Sequence, residues 1–463
     1  MTFRGMVIPA PHRMWPLLVA ACAVAGPAAA QSPQDLLRDG RYREAADVAE
    51  AWLAENPNAP QSGAVAKLAL DAWVREAIVA RRTAVLQAYA GHLCYAELLD
   101  SENINASEVA LCQFYLGLSE FVLGNRTGAL AAFDKAASGG LGDRVAPWKA
   151  AAAASPGSEA AAVTGSGAEA ALARYAFGGA ASSDAPGSGE RVKRVARVLA
   201  WASGGEKIPS TAVRGEDDIS TGRKLKFYDP WVLVAYSRAC AAHARRHAPD
   251  PASFTSPGDW VAWGRLSLLD GDPGSAAMAF AKAQNRSVAV FGDLAQAQAG
   301  GGSPVTAMQA VLATDQPQIL AEAVLQLLLT GEPDWKALTG PVVTKVESWR
   351  ASVQRQEEKV KAAEMRAGNW CAGTALWYSG DREKARMFLD EAYDVYNLGE
   401  PRFNPPRWLP EIVMGETEDL NTKTHVLRVV GKTADTVPYM DNTYSLLQTY
   451  YVHAFDEVQG DVR

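Results

Sequence analysis

The stretch Gly264-Arg-Leu-Ser-Leu-Leu-Asp-Gly271-Asp-Pro-Gly-Ser-Ala276-Ala-Met-Ala-Phe280-Ala-Lys-Ala283 decides how this chain is read. Its small and bulky residues follow one spacing: Gly, six residues, Gly, four, Ala, three, a large apolar residue, two, Ala. The same spacing recurs at Gly117, Gly124, Ala129, Phe133 and Ala136, and again at Gly373, Gly380, Ala385, Leu389 and Ala392. A fourth segment, Gly40, Tyr42, Ala45, Ala49, Trp52 and Pro57, keeps only the second half. Gly124, Gly271 and Gly380 stand where one helical pattern stops and the next begins, the natural place for a residue that tolerates positive φ. Polar turn residues follow each: Asn125-Arg126, Asp272-Pro273 and Asp381-Arg382. Pro273 suits the first position of a new helix, where its missing N–H has no intrahelical partner to lose. The earlier glycines fall inside the first helix, where Gly is about 1 kcal/mol worse than Ala. A helix accepts that where a neighbour must come close. Ala129, Ala276 and Ala385 are the expected small partners, with Phe133, Phe280 and Leu389 one turn further on the same face.

The pattern describes antiparallel helical hairpins with tight corners, and it resembles the tetratricopeptide repeat. The corner glycines Gly40, Gly124, Gly271 and Gly380 lie 84, 147 and 109 residues apart, none a multiple of the usual period of about 34. Diverged hairpins or inserted helices must fill the gaps. The expected fold class is therefore all-α: a tetratricopeptide-like α-solenoid of antiparallel hairpins with a Pro-rich, less regular C-terminal segment. The resemblance implies a protein-binding surface on the first helix of each pair. Its matching positions are Phe114, Phe121, Arg265, Trp370, Trp377 and Tyr378, with the last three as the expected hot spot. Such an apolar groove takes either a helix of the same chain or an amphipathic partner segment; plain core is the third reading.

Residues 1–30 read as a signal peptide: Arg4 and Arg13, an apolar run from Met14 to Ala25, then Ala28-Ala29-Ala30 before Gln31. A competing reading makes Val19-Ala20-Ala21-Cys22 a lipobox and Cys22 a lipid anchor. The Ala-rich bias and the leader style are bacterial in character, so the expected location is the periplasm or the cell surface. Removing the leader leaves 43 basic against 52 acidic residues, a charge of −9, which argues against nucleic acid as a partner. No later run is long and apolar enough to span a bilayer. The expected organisation continues with an N-terminal helical region over 31–148 and an Ala/Gly/Ser-rich linker with a short helix over 149–190. A central helical region over 191–397 follows, then a Pro-rich segment and capping helix over 398–463. Within these, residues 61–100 read as two helices. The basic run Arg191 to Arg197 reads as the solvated face of an amphipathic helix.

Reaction chemistry is sparse. Cys240, His243 and His247 fall on one helix face at i, i+3 and i+7, with soft and borderline ligands spaced for zinc or copper, and form the one candidate metal cluster. Gly165-Ser-Gly167-Ala-Glu-Ala170 lacks the preceding strand of a dinucleotide site, and Gly431-Lys432-Thr433 lacks the earlier glycine of a phosphate loop. Neither is kept, and no cofactor is expected. Four cysteines outlast the leader; Cys94 and Cys112 are the candidate disulfide, and buried free thiols are the equal alternative. The leading functional expectation is an exported, non-enzymatic scaffold or adaptor that joins proteins in an envelope or extracellular assembly. A metal-binding or enzymatic site around Cys240 is one alternative, and a glycan or small-ligand site at Trp370, Trp377 and Trp408 is the other.

Overall fold

The computed structural model describes residues 32–38, 40–99, 106–182, 190–204, 229–329, 334–353 and 358–399. The expected leader, the lipobox at Cys22, Trp408 and the C-terminal capping helix lie outside the described residues. In chain order the helices begin with α1 Pro33–Arg38, α2 Tyr42–Glu55, α3 Ser62–Leu99, α4 Ala106–Val122 and α5 Arg126–Ala136. Then come α6 Gly142–Ala153, α7 Glu159–Ala162, α8 Ala168–Ala176, α9 Glu190–Ala202 and α10 Pro230–His247. The second half holds α11 Pro257–Leu269, α12 Pro273–Ala283, α13 Arg286–Gln296 and α14 Pro304–Ala313. It closes with α15 Pro317–Leu329, α16 Trp335–Val353, α17 Glu358–Ser379 and α18 Arg382–Gly399. The fold is all-α, with no strand among the described residues, and its stacked hairpins are compatible with a helical solenoid.

The repeated spacing marks hairpin corners. Gly124, Gly271 and Gly380 have φ of 76°, 78° and 97°. Each uses its N–H on the carbonyl three residues back, while the next residue's N–H reaches five back: Gly271 to Leu268 and Asp272 to Ser267, both at 2.9 Å. This double bond pattern closes the orphan carbonyls of a helix end. It recurs at Gly380 and Asp381, at Gly124 and Asn125, and also at Gly40 and Arg41. So the fourth copy is a whole hairpin: α1 supplies the first helix that the sequence pattern omits. The residue after each of the three later glycines then starts the second helix, Asn125 accepting from the Gly128 N–H and Asp272 from the Ser275 N–H.

The glycines inside the first helices have a different partner from the one expected. A Cβ at Gly117 would sit 2.5 Å from Phe133, one at Gly264 2.6 Å from Phe280, and one at Gly373 2.6 Å from Leu389. The bulky residue of each motif therefore fills the notch left by its own glycine. Ala129, Ala276 and Ala385 are fully buried beside it. Notch and knob belong to one hairpin, so their sequence separation is constant.

Residues 62–99 form one 38-residue helix instead of the expected two. At 1.5 Å per residue it runs about 57 Å. It packs against α2, α4, α10 and α11, and its length joins two cores. Leu70 to Ala84 belong to a core built from α1 to α11, while Val85, Ala88 and Tyr89 belong to a second core built largely from α11 to α18. Within the expected linker, Ala151, Ala152, Val163 and most of α8 belong to the first core. Ala168, Ala170 to Ala173, Tyr175 and Ala176 of α8 are all buried, because alanine lets α6, α9 and α10 approach closely. Composition suggested a tether; burial makes it core. Corners far apart in sequence also meet. Tyr378 donates its hydroxyl proton to the Val122 carbonyl at 2.5 Å, 256 residues away, and Arg382 pairs with the buried Glu120 at 3.1 Å.

Candidate functional site

The aromatic positions expected to line an open groove are mostly interior. Phe114, Phe121, Trp370 and Trp377 are buried, with exposures of 0%, 6%, 1% and 5%. Phe121 stacks near Phe177 and Trp231, and Trp377 meets Tyr89 and His92 edge-on. Tyr378 is half-buried at the Gly124 corner, and Arg265 is tied to Glu322 at 2.6 Å. These faces are apolar because α3, α10 and one another cover them. Phe114, Phe121, Trp370 and Trp377 are core side chains, whereas Arg265 and Tyr378 remain partly exposed. Cys112 is buried, and the side chain of its candidate partner Cys94 lies outside the described residues.

The expected metal cluster is also rearranged. Among the described residues no group of three or more His, Cys, Asp and Glu is placed to hold a metal ion. Cys240 is wholly buried, while His247, two turns on, is exposed. His243 turns instead toward Glu50 of α2, placing Nε2 2.6 Å from Oε1. That oxygen also accepts the Trp73 Nε1–H at 2.7 Å. An ionised carboxylate can only accept, so the proton of this contact sits on His243 Nε2. The ring is held by Trp201 stacked at 5.3 Å, by the edge of Trp73 at 4.8 Å and by His247 at 4.5 Å.

On the Glu50 side of this pair lies a cleft of about 320 Å³ lined by Glu50, Leu53, Ala54, Ala66, Ala69, Leu70, Trp73, Ala244 and His247. Burial pushes the Glu50 carboxyl up, but hydrogen bonds from His243 and Trp73 and the nearby imidazole charges outweigh it, so it lies below the usual range. Burial and the neighbouring His243 lower His247, and Glu50 only partly offsets them. Beside the cleft, Arg43 lies over the Trp73 ring at 4.7 Å and donates to Tyr236 at 3.1 Å, which donates to Glu76 at 3.0 Å. The cleft thus joins an apolar wall to one carboxylate and one exposed imidazole. It suits a small ligand with an apolar body and a hydrogen-bond donor.

A second polar cluster is largely enclosed, with Arg191 buried and Glu169 and Arg144 partly exposed. Glu169 of α8 receives Arg191 through two bonds of 2.8 Å, Arg144 Nε at 3.1 Å and Trp148 Nε1 at 2.7 Å. Burial opposes its charge, yet the two guanidinium groups hold it down at about 2. Arg191, expected on a solvated face, is 5% exposed and also pairs with Asp229. Glu50, Trp73 and Glu169 had no local motif to betray them, since their partners stand 21 to 193 residues away. The chain matches no protein-family model, no curated protein and no solved structure.

Proposed function

We propose that the chain is an exported helical scaffold or adaptor of tetratricopeptide-like hairpins, holding protein partners in a cell-envelope or extracellular assembly. The observation that carries this reading is the reuse of one hairpin corner four times, in a motif with packing content and no reaction chemistry. Because the inner faces are consumed by the chain itself, partners would meet the outer helices. There Met278 and Met387, each seven residues past a corner glycine, are 64% and 57% exposed. Flexible, polarizable methionine is over-used on protein-binding surfaces. No helix among the described residues is long and apolar enough to cross a membrane. Photo-crosslinking from positions 278 and 387 in intact cells tests the proposal. A discrete protein adduct from either position, lost when the probe at 278 is combined with Met387→Glu or the probe at 387 with Met278→Glu in the full chain, is the expected result; adducts to no protein would defeat it.

A second reading rests on the Glu50–Trp73–His247 cleft, which has the size and mixed lining of a small-ligand site. Quenching of Trp fluorescence by a ligand, abolished by Trp73→Phe, is its test.

A further inference from the structure

Carboxylates in this fold are generally met by a permanent cation. Arg144 and Arg191 hold Glu169, Arg126 holds Glu159, Arg265 holds Glu322 and Arg245 holds Asp270. Glu50 of α2 departs from this habit. Its side chain is only 16% exposed, yet its partners are an imidazole and an indole, and no arginine or lysine of the described residues pairs with it. Both donors go to Oε1, His243 Nε2 at 2.6 Å and Trp73 Nε1 at 2.7 Å. Oε2 accepts from no described residue and is not shut off from solvent.

The fixed charges on the surrounding helices are already committed. Arg43, over the Trp73 ring, pairs with Asp47 at 3.1 Å and donates to Tyr236. Arg75 of α3 is held by Asp71 at 2.9 Å, and Arg246 of α10 reaches the Ala202 carbonyl at 3.1 Å. What Glu50 does have beside it is the cleft of about 320 Å³. That is the lower end of ligand pockets, which run to about 300–1,000 Å³. Leu53, Ala66, Ala69 and Leu70 give the cleft an apolar wall. His247 is exposed, with its ring centre 4.5 Å from that of His243. Burial and His243 hold His247 below 6.5, so above neutral pH it is uncharged and offers a ring nitrogen as acceptor.

A carboxylate oxygen without a permanent cation, set against apolar walls, favours a charged donor over a neutral one and repels an anion. Taking the cleft as a small-ligand site, on which this inference rests, we propose that it binds a small primary amine as its ammonium ion. One N–H goes to Glu50 Oε2 and a second to His247, with the hydrocarbon or aromatic body against Leu53 and Leu70.

Isothermal titration calorimetry of the full chain, at a pH about one unit above 6.5, tests this with 2-phenylethylamine, 2-phenylethanol and 3-phenylpropanoate. The amine should bind about tenfold or more tighter than the alcohol, and the acid more weakly than the alcohol. Glu50→Gln keeps an acceptor oxygen for His243 and Trp73 but removes the charge. It should lose about tenfold in amine affinity and leave the alcohol almost unchanged. If that variant does not fold, raising sodium chloride from about 0.1 M to about 1 M gives the same reading, since it should weaken the amine alone. Ala66→Leu, at a half-buried position on the cleft wall, should weaken amine and alcohol together. Equal binding of amine and alcohol by the parent overturns the ammonium assignment and leaves the small-ligand cleft standing. Binding of none of the three probes, or undiminished binding in Ala66→Leu, overturns both.

Discussion

The sharpest consequence of the hairpin packing concerns Gly264. Replacing it with alanine places a methyl group 2.6, 2.8 and 2.9 Å from three carbons of the Phe280 ring. Carbon atoms prefer about 3.5–4.0 Å, so the ring must retreat by about 1 Å. It has little room: Phe280 is 2% exposed, packed by Phe291 at 5.9 Å between ring centres, with the fully buried Ala276 and Ala283 one turn away on either side. Overpacking of this kind costs about 1–3 kcal/mol. Better helix propensity returns about 1 kcal/mol of that. The net expectation is a loss of about 1–2 kcal/mol.

Gly258, in the first turn of the same helix, is the control. A Cβ there meets only Ser256 Oγ at 3.6 Å, an ordinary contact, so Gly258→Ala should be neutral or stabilising by about 0.5 kcal/mol. Urea unfolding followed by circular dichroism measures both midpoints. Adding Phe280→Leu to Gly264→Ala should recover part of the loss, with a coupling of about 1 kcal/mol in the double-mutant cycle. If Gly264→Ala proves as stable as Gly258→Ala, or the cycle shows no coupling, the notch-and-knob account of the repeated spacing is wrong.

Other consequences are equally direct. Glu169→Gln leaves Arg144 and Arg191 without their shared carboxylate, and breaking a buried pair of this kind should cost about 3–5 kcal/mol in urea unfolding. Because the folded pKa of Glu169 is depressed from 4.5 to about 2, its contribution of about 3 kcal/mol is fully present above pH 4.5 and fades as pH falls toward 2. The parent should therefore lose stability over that acid window more steeply than Glu169→Gln does. His247 should titrate below 6.5 by NMR, and Glu50→Gln should lower it further by removing the one charge that supports its protonated form. Elemental analysis of the purified protein should find no stoichiometric zinc or copper; finding one would mean that Cys240, His243 and His247 rearrange to bind it.

Much of the local architecture was legible from the sequence, because it depends on interactions of short, constant separation. A glycine at a corner must be followed by a capping residue, and Gly264 must be matched by a bulky residue sixteen positions on, since both sit on one hairpin. These requirements write themselves into the chain as spacing. The fourth hairpin was half legible because α1 is short and its packing positions differ.

What only the tertiary structure decided are matters of which surface meets which. Apolar side chains such as Phe114 and Trp370 read the same whether they face a partner or a neighbouring helix; the passage of α3 through both cores settles them as interior. The short helix expected inside the Ala-rich linker is present at 168–176, and its burial in the core is something composition did not show. The polar groups that define the cleft, Glu50 with His243, are brought together by folding across more than a hundred residues. Sequence fixes periodicity, which is a local steric property, whereas the partner of a buried charge depends on the three-dimensional path of the whole chain.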